Sequence, residues 1–203
     1  MHPLLHALRE GVPLSGDPRA DMAALLRHRG CVRTVEHSLQ VAEEARRLAP
    51  CYGVEVSLVE MAAWLHDISA VIPSSRRLEA ARQLGLEVLP EEAAVPMILH
   101  QKLSVVIAEE LLGVCRPEVL SAIGCHTTLK ADATPSDKVV FIADKIAWDQ
   151  AGKPPYLADV RVGLEHSLDA GVLAYLAYLW QRRETLPVVH PWLAEAYRQL
   201  AAA

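Results

Sequence analysis

Apolar and small residues recur every three to four positions along most of the chain, which is the spacing of one face of an α-helix. In TVEHSLQVAEEARRLAP, for example, Val35, Leu39 and Ala42 fall on one face, and Pro50 closes the segment. No segment alternates apolar and polar residues over a useful length, as a half-buried strand does. KVVFIADKI is apolar enough for a buried strand, but its polar residues stand at helical spacing, which favours a helix.

Residues that cap helices divide this pattern into segments. Asp17 followed by Pro18 predicts the start of a helix, and Gly30 predicts its end. Ser57 and Ser136 are the predicted N-caps of two later helices. Helical patterns are predicted from Pro18 to Gly30, in TVEHSLQVAEEARRLAP, from Ser57 to His66, in SSRRLEAARQLGL as far as Gly85, and over residues 96–112, 117–125, 135–148, 158–183 and 191–201.

These segments predict an all-α fold, a compact irregular bundle of about seven to nine helices. The composition agrees, because 52% of the 203 residues are apolar and only 5% are aromatic, so that Ala, Leu and Val make up most of the core. No internal repeat or linker divides the sequence. We therefore expect one helical domain over residues 1–203, with a core at about 28–183 on which short N-terminal helices and a C-terminal helix pack.

Net charge, cysteine content and the length of the apolar runs limit which partners and which cellular location we expect. The net charge is −5 and the sequence has no basic cluster, which argues against binding to nucleic acid or to an acidic membrane surface. The four cysteines form no CxxC pair, and the longest apolar run, GVLAYLAYLW, is too short for a membrane span. We expect a cytoplasmic protein with reduced thiols and a small-molecule partner.

The nine histidines fall into two groups. Five stand in terminal or polar settings and are predicted to be solvated: His2, His6, His28, His166 and His190. The other four share a helix face with apolar residues and are expected to point inward. They are His37, His66, His100 and His126.

Two carboxylates join the inward histidines. Asp67 follows His66 at the end of an apolar helix, and Asp144 lies one turn after Val140. Burying six such groups without a shared partner would be very unfavourable. Imidazole and carboxylate together bind divalent ions such as iron, manganese or zinc, and helical bundles build such centres from facing helices. The sequence therefore predicts a metal centre.

In kind and order, the six residues resemble the H…HD…D signature of the HD-domain metal-dependent phosphohydrolases, with two further histidines as in the subset that binds two ions. More closely, a set of segments resembles the YqeK-type symmetrical bis(5′-nucleosyl)-tetraphosphatases. These segments are HSLQVAEEA, AAWLHD, ILHQKLSVVIAEELLG, EVLSAIGCHTT, DKVVFIADKI and LPVVHPWLAEAYRQL, and they cover roughly residues 28–200. The resemblance implies a di-iron helical enzyme that splits diadenosine tetraphosphate symmetrically into two ADP.

The resemblance also implies roles for individual residues. One ion would be held by His37, His66, Asp67 and Asp144, and Asp67 would bridge to a second ion held by His100 and His126. Asp67 and His126 would be the catalytic residues. Cations and hydroxyls near these ligands in sequence are candidates for binding substrate phosphates, although each could equally be a solvated surface group. The candidate substrate-binding residues are Arg33, His100, His126, Thr127, Thr128, Lys130 and Lys145.

Around the ligands the sequence departs from the family pattern. The family usually has lysine where this chain has Ala70, and glycine where it has Gln101, Ser104 and Leu129. Trp148 stands in the segment where the family has a proline and an arginine. Two alternatives therefore stay open: a phosphohydrolase of another nucleotide or phosphate ester, and a metal- or nucleotide-binding protein that has lost turnover.

If the family's lysine meets substrate phosphate, Ala70 leaves this chain without that positive charge. Arg76 and Arg77, on the next predicted helix, are candidates to replace it. The sequence also leaves open whether the protein is a monomer or a homodimer.

Overall fold

The computed structural model describes residues 1–148 and 152–202, and over these residues the chain is helical with no strand. The α-helices are α1 (Pro3–Arg9), α2 (Pro18–His28), α3 (Val32–Leu48), α4 (Val56–Leu65), α5 (Arg77–Gln83), α6 (Pro90–Ala94), α7 (His100–Val106), α8 (Pro117–Cys125), α9 (Pro135–Ile146), α10 (Leu157–His166), α11 (Leu168–Gln181) and α12 (Pro191–Ala201). The prediction of an all-α fold is confirmed. The predicted number of helices is too low, because α1 and α6 lie outside the predicted helical patterns and the segment 158–183 forms two helices.

Helix starts show which side chains act as caps. Asp17 caps α2 as predicted, since its carboxylate accepts the backbone N–H of Arg19 at 3.0 Å. The prediction for Ser57 is wrong: α4 begins at Val56 with Glu55 as its N-cap. The Ser57 hydroxyl donates instead to the Glu55 carboxylate, so it lies inside the first turn.

The predicted cap of α9 is also wrong. Thr134, not Ser136, is the N-cap, and its hydroxyl accepts the backbone N–H of Asp137 at 3.2 Å. The Asp137 carboxylate accepts the Thr134 N–H in return, at 2.9 Å. This reciprocal pair is a capping box, and it satisfies two N–H groups that the helix itself leaves without partners.

The predicted helix over 158–183 is two helices, α10 and α11. Ser167 separates them, because its backbone is extended and its hydroxyl accepts the Ala170 N–H to start α11. The two helices pack closely where Gly163 faces the start of α11. A Cβ atom at Gly163 would lie 2.6 Å from the Ala170 carbonyl oxygen, so only glycine permits this approach.

The centre of the fold is formed by α3, α4, α8 and α9. Helix α3 packs against α4 and α9, and both of these pack against α8, on which α7 also lies. Small residues such as Ala45, Ala62 and Ala63 are fully buried along these contacts and let the helix axes approach. Each predicted metal ligand lies on or beside one of these helices.

At the periphery, α12 packs against α11 and is tied to the preceding chain by a buried polar cluster. His190, predicted to be solvated, is only 2% exposed. Its Nδ1 accepts the Trp192 N–H at the start of α12, and its Nε2 lies 3.4 Å from Glu92. The fully buried Glu92 also accepts a hydrogen bond from Lys102 at 2.8 Å. His190 is therefore buried because a partner distant in sequence satisfies it.

In the part of the chain that the structure describes, no single helix is long and apolar enough to cross a membrane. The adjoining segments Val56–Val71 and Ser74–Gln83 reach such a length and composition together, but they are bent by 81°.

Candidate metal centre

The six predicted ligands come together between the ends of the central helices. His37 comes from α3, His66 and Asp67 follow α4, His100 begins α7, His126 follows α8, and Asp144 comes from α9. Two sets have ligand atoms within 4.8 Å of one another: His37, His66 and Asp67 form one, and Asp67, His100 and His126 form the other. Asp67 belongs to both sets, which is the arrangement that a bridging carboxylate requires.

The distances within the centre are those of groups facing a common space. Oδ2 of Asp67 lies 3.6 Å from His66 Nε2. Oδ1 of Asp67 lies 3.4 Å from His100 Nε2 and 3.6 Å from His126 Nε2. These separations are too long for strong hydrogen bonds, so the two carboxylate oxygens face different histidines without binding them directly.

Asp144 completes the first set from the opposite side. Its Oδ1 lies 3.0 Å from His37 Nε2 and 3.6 Å from His66 Nε2. Its Oδ2 accepts a hydrogen bond from Lys145 at 2.5 Å. One oxygen of Asp144 therefore faces the histidines, and the other is neutralised by a lysine.

Three of the histidines are oriented by their own helix ends. The Nδ1 atoms of His66, His100 and His126 lie 2.7, 2.6 and 2.7 Å from the carbonyl oxygens of Ala63, Met97 and Ile123, each three residues earlier. A carbonyl only accepts hydrogen bonds, so each Nδ1 carries the proton. In the neutral form of each ring, Nε2 then presents a lone pair to the centre, as a metal-binding histidine does.

Two observations test whether these residues fit a metal ion. His66 Nε2 is buried and has no hydrogen-bond partner among the described residues. His100 Nε2 and His126 Nε2 lie only 2.9 Å apart, so two lone pairs would face each other. Buried polar atoms without partners are unfavourable, and a cation between these nitrogens would satisfy them. The donor set therefore fits a metal ion.

The electrostatics favour the ligand states that a metal needs. Although burial would raise the pKa of Asp67, the His66, His126 and His100 side chains hold it well below the usual range. The pKa of Asp144 is also held low, chiefly by Lys145 and His37 against the effect of burial. Both carboxylates are therefore ionised at neutral pH.

The surroundings shift the pKa values of the histidines in two directions. Burial lowers the pKa of His100 to about 4 and lowers that of His126, so both are neutral at neutral pH. Burial would lower the pKa of His66 as well, but Asp67 and Asp144 raise it to about 9. The negative field that stabilises a proton on His66 Nε2 equally stabilises a metal ion there.

The candidate phosphate-binding residues are only partly brought to the centre. The Thr127 hydroxyl lies 2.8 Å from His100 Nε2, so it borders the second set of ligands. Lys145 lies against Asp144, with its ammonium over the rings of Phe141 and Tyr175. Asp144 raises the pKa of Lys145 despite burial, which keeps the ammonium charged.

The other candidates have partners elsewhere or none in the centre. The hydroxyl of the buried Thr128 donates to the carbonyl of Leu129. Lys130 binds the Ser121 hydroxyl at 2.7 Å and lies 3.5 Å from Asp137. Arg33 is exposed on α3. The structure thus brings Thr127 and Lys145, but not these three, into contact with the ligands.

A buried hydroxyl pair, which sequence reasoning did not assign to the centre, supports His100. The Ser69 hydroxyl donates to the His100 carbonyl at 2.8 Å, and the Ser104 hydroxyl donates to Ser69 at 3.0 Å. Both serines are fully buried. The sequence offered one signal for this pair, namely Ser104, which departs from the family pattern close to His100.

Gln101 supports the segment after α8 in the same way. It is fully buried, its amide N–H donates to the Thr128 hydroxyl at 3.1 Å, and its carbonyl accepts the Thr127 N–H at 3.2 Å. In the same segment, Leu129 has φ +57°, a conformation that glycine adopts more easily. The turn therefore keeps a backbone suited to the family's glycine although the residue has changed.

Comparison with known proteins finds the same domain type. The family model described as HD domain matches residues 34–149, which include all six ligands. A Lactococcus lactis subsp. cremoris protein, described as an uncharacterized protein in the pepC 5′ region, is 41% identical over 140 residues, covering 69% of this chain and 71% of that protein. A symmetrical bis(5′-nucleosyl)-tetraphosphatase of Staphylococcus aureus is 38% identical over 112 residues, covering 54% of this chain and 56% of that enzyme.

Two further comparisons extend over more of the chain. A symmetrical bis(5′-nucleosyl)-tetraphosphatase of Halalkalibacterium halodurans is 26% identical over 172 residues, covering 81% of this chain and 87% of that enzyme. The crystal structure of a protein from Clostridium acetobutylicum, described as an HD superfamily hydrolase involved in NAD metabolism, has a TM-score of 0.80 at 24% identity. It covers 93% of this chain and 98% of that protein, which shows a shared fold.

Proposed function

The chain belongs to the HD domain family, and from this we propose that it is a metal-dependent phosphohydrolase that cleaves diadenosine tetraphosphate symmetrically into two ADP. The observation that carries the proposal is Asp67, which is shared by two sets of ligands that could each hold an ion. Relatives named as symmetrical bis(5′-nucleosyl)-tetraphosphatases support the choice of substrate.

The ligands divide between two proposed ions. His37, His66, Asp67 and Asp144 would hold one, and Asp67, His100 and His126 would hold the other. Iron is the proposed metal, with manganese and zinc as the alternatives that this donor set also accepts. Bound as a pair, such ions ionise a water near neutral pH and neutralise charge on phosphate oxygens.

Backbone carbonyls and side chains around the centre set the protonation of the histidines and offer contacts to the substrate. The carbonyls of Ala63, Met97 and Ile123 keep one proton of each of the three oriented histidines on Nδ1. At His100 and His126 no second proton competes at Nε2 at neutral pH, whereas at His66 a bound ion would replace the proton on Nε2. The Thr127 hydroxyl, next to His100, can turn its O–H towards a phosphate oxygen. Lys145 holds Asp144 by one oxygen and leaves the other facing the histidines.

The leaving group needs little help from an acid. Symmetrical cleavage releases a nucleoside diphosphate, whose terminal phosphate has a second pKa near 6 and departs largely ionised at neutral pH. A strong general acid is therefore unnecessary. We assign Asp67 and His126 as the catalytic residues. Asp67 is the ligand shared by both sets, and His126 assists departure of the nucleoside diphosphate if the second ion holds His126 only weakly.

Hydrolysis of diadenosine tetraphosphate in isotopically labelled water tests the proposal. Protein loaded with iron or manganese should give ADP alone, and one ADP of each pair should carry the label. Release of ATP and AMP would contradict symmetrical cleavage. A panel of dinucleoside polyphosphates, mononucleotides and a phosphodiester separates the alternatives, because turnover of another compound, or binding without turnover, would replace the proposed activity.

The second candidate, another nucleotide or phosphate ester as substrate, is favoured by one observation. Gln101 and Ser104 fill positions beside His100 with buried hydrogen-bonded side chains, so the lining next to the ligands differs from the family pattern. The same panel decides between the two substrates.

A further inference from the structure

Phosphoryl transfer needs positive charge at the non-bridging phosphate oxygens. The lysines near the centre already have anionic or polar partners: Lys145 binds Asp144, and Lys130 binds Ser121 beside Asp137. A lysine at the position of Ala70 is absent from this chain. If a side chain joins the two proposed ions in neutralising the phosphate, it has to be another cation.

Arg77, the first residue of α5, lies beside the second set of ligands. Its Nη1 donates to the Met97 carbonyl at 3.3 Å, and the same carbonyl accepts the Nδ1–H of His100 at 2.6 Å. Because both donors share one oxygen, the guanidinium lies next to the imidazole of His100. Arg77 is thus held at the edge of the set formed by Asp67, His100 and His126.

The Arg77 guanidinium has donors to spare. Its Nε is buried and has no hydrogen-bond partner within residues 1–148 and 152–202. A buried N–H without an acceptor is unfavourable, and an anion at the centre would supply one. Arginine presents several N–H groups in a planar fork that matches two phosphate oxygens at once.

Arg77 remains charged in this setting. Burial lowers the pKa of Arg77, while the negative charge of Asp67 opposes that change. The pKa of arginine starts so high that the guanidinium stays protonated at neutral pH. Its charge is therefore available to a phosphate.

The neighbouring Arg76 is held differently. It is exposed, and its Nε lies 3.9 Å from Glu79, one turn further along the chain. Its side chain also lines a surface cavity of about 630 Å³ together with Arg29 and Pro73. Arg76 therefore has an anionic partner at the surface and shares no acceptor with a ligand of the centre.

We propose that Arg77 is the phosphate-binding cation of this centre, contacting the non-bridging oxygens of the phosphate nearest to Asp67, His100 and His126. It supplies a positive charge from α5 in a chain that has Ala70 where the family usually has lysine. The nucleotide identity of the ligand rests on the proposed function, but the contact with phosphate does not.

Calorimetric titration of metal-loaded protein with inorganic phosphate tests this role. Arg77→Met, which keeps an unbranched apolar stem and removes the charge and the donors, should weaken phosphate binding about tenfold or more. Arg77→Lys should be intermediate, because a point charge replaces the fork. Arg76→Met, the matched control, should bind phosphate within about twofold of the wild type, since an exposed ion pair contributes little. Metal content and the thermal unfolding midpoint should stay unchanged in all three variants.

Wild-type phosphate affinity in a metal-loaded Arg77→Met protein would overturn the proposal, as would a wild type that does not bind phosphate. If Arg77→Met loses metal or unfolds, Arg77→Lys decides: severalfold weaker phosphate binding supports the proposal, and unchanged binding overturns it. A wild type that binds phosphate through Arg77 but does not hydrolyse diadenosine tetraphosphate would refute the proposed substrate alone.

Discussion

Nε2 of His100 and Nε2 of His126 lie 2.9 Å apart although the Nδ1–H of each ring is already donated to a backbone carbonyl. Two imidazole lone pairs at this distance repel each other unless a cation lies against them. Burial lowers the pKa of both rings, so a proton is a poor candidate for that cation at neutral pH. A divalent ion is the better one.

His126→Ala should therefore remove one ion and leave the other. We expect the wild type to contain about two transition-metal ions per chain and the variant about one, because His37, His66 and Asp67 remain. Elemental analysis of protein purified without chelator measures this. An ion content near zero in the wild type would contradict both proposed sites.

Asp67→Asn should reduce the metal content and the activity more than the loss of any single histidine does. The amide keeps the volume of Asp67 but removes the charge that both ligand sets share, so both ions should be lost or weakly held. We expect hydrolysis of diadenosine tetraphosphate to fall by about a hundredfold or more, and the thermal unfolding midpoint to approach that of chelated wild type. An Asp67→Asn protein with wild-type metal content would disprove the bridging role.

Lys145→Met should destabilise the chelated protein by about 1–3 kcal/mol, because it leaves the mostly buried Asp144 carboxylate without its main charge partner and with only His37 and His66 beside it. Urea unfolding of the chelated variant measures the loss. The double variant Lys145→Met, Asp144→Asn should recover part of the stability, since no buried charge is then left unpaired. Unchanged stability together with weakened phosphate binding would instead assign Lys145 to the substrate.

Glu92→Gln should make the free energy of unfolding depend less on pH in acid solution. Burial raises the pKa of Glu92, but hydrogen bonds from His190, Lys102 and the Leu89 N–H outweigh it, and the folded-state pKa lies below the ordinary value of 4.5. The contribution of Glu92 is therefore fully present above about pH 4.5 and is lost as pH falls through the lower, folded-state pKa.

Urea unfolding of chelated wild type and Glu92→Gln between about pH 3 and 7 tests this. The variant should be less stable by about 1–3 kcal/mol at pH 7, and the difference should shrink in acid. A difference that stays constant across the range would show that Glu92 does not link stability to pH.

Much of the candidate centre could be predicted because its ligands lie on helix faces or directly after the end of a helix. A 3.6-residue period places His37 and Asp144 inward from their neighbours alone, without knowledge of the fold. The pairing of His66 with Asp67 at the end of an apolar helix was a local signal of the same kind. The sequence therefore identified the ligand candidates, and the structure added which atoms face each other.

Features that depend on contacts distant in sequence could not be predicted. His190 was expected in solvent, because its neighbours do not reveal Glu92, which lies 98 positions away in the chain. Ser57 and Ser136 were plausible caps, but the choice of N-cap depends on where the backbone turns, and in both helices it turns two residues earlier. Arg77 could be recognised only as one of two adjacent basic residues until its carbonyl acceptor was seen.

The spread of the ligands over α3, α4, α7, α8 and α9 has a consequence for biogenesis. His37 leaves the ribosome first and Asp144 last, so a nascent chain that ends before α9 lacks a ligand of the first ion and the helix that packs on α3. Capture of that proposed ion in a complete site would therefore have to follow synthesis of α9.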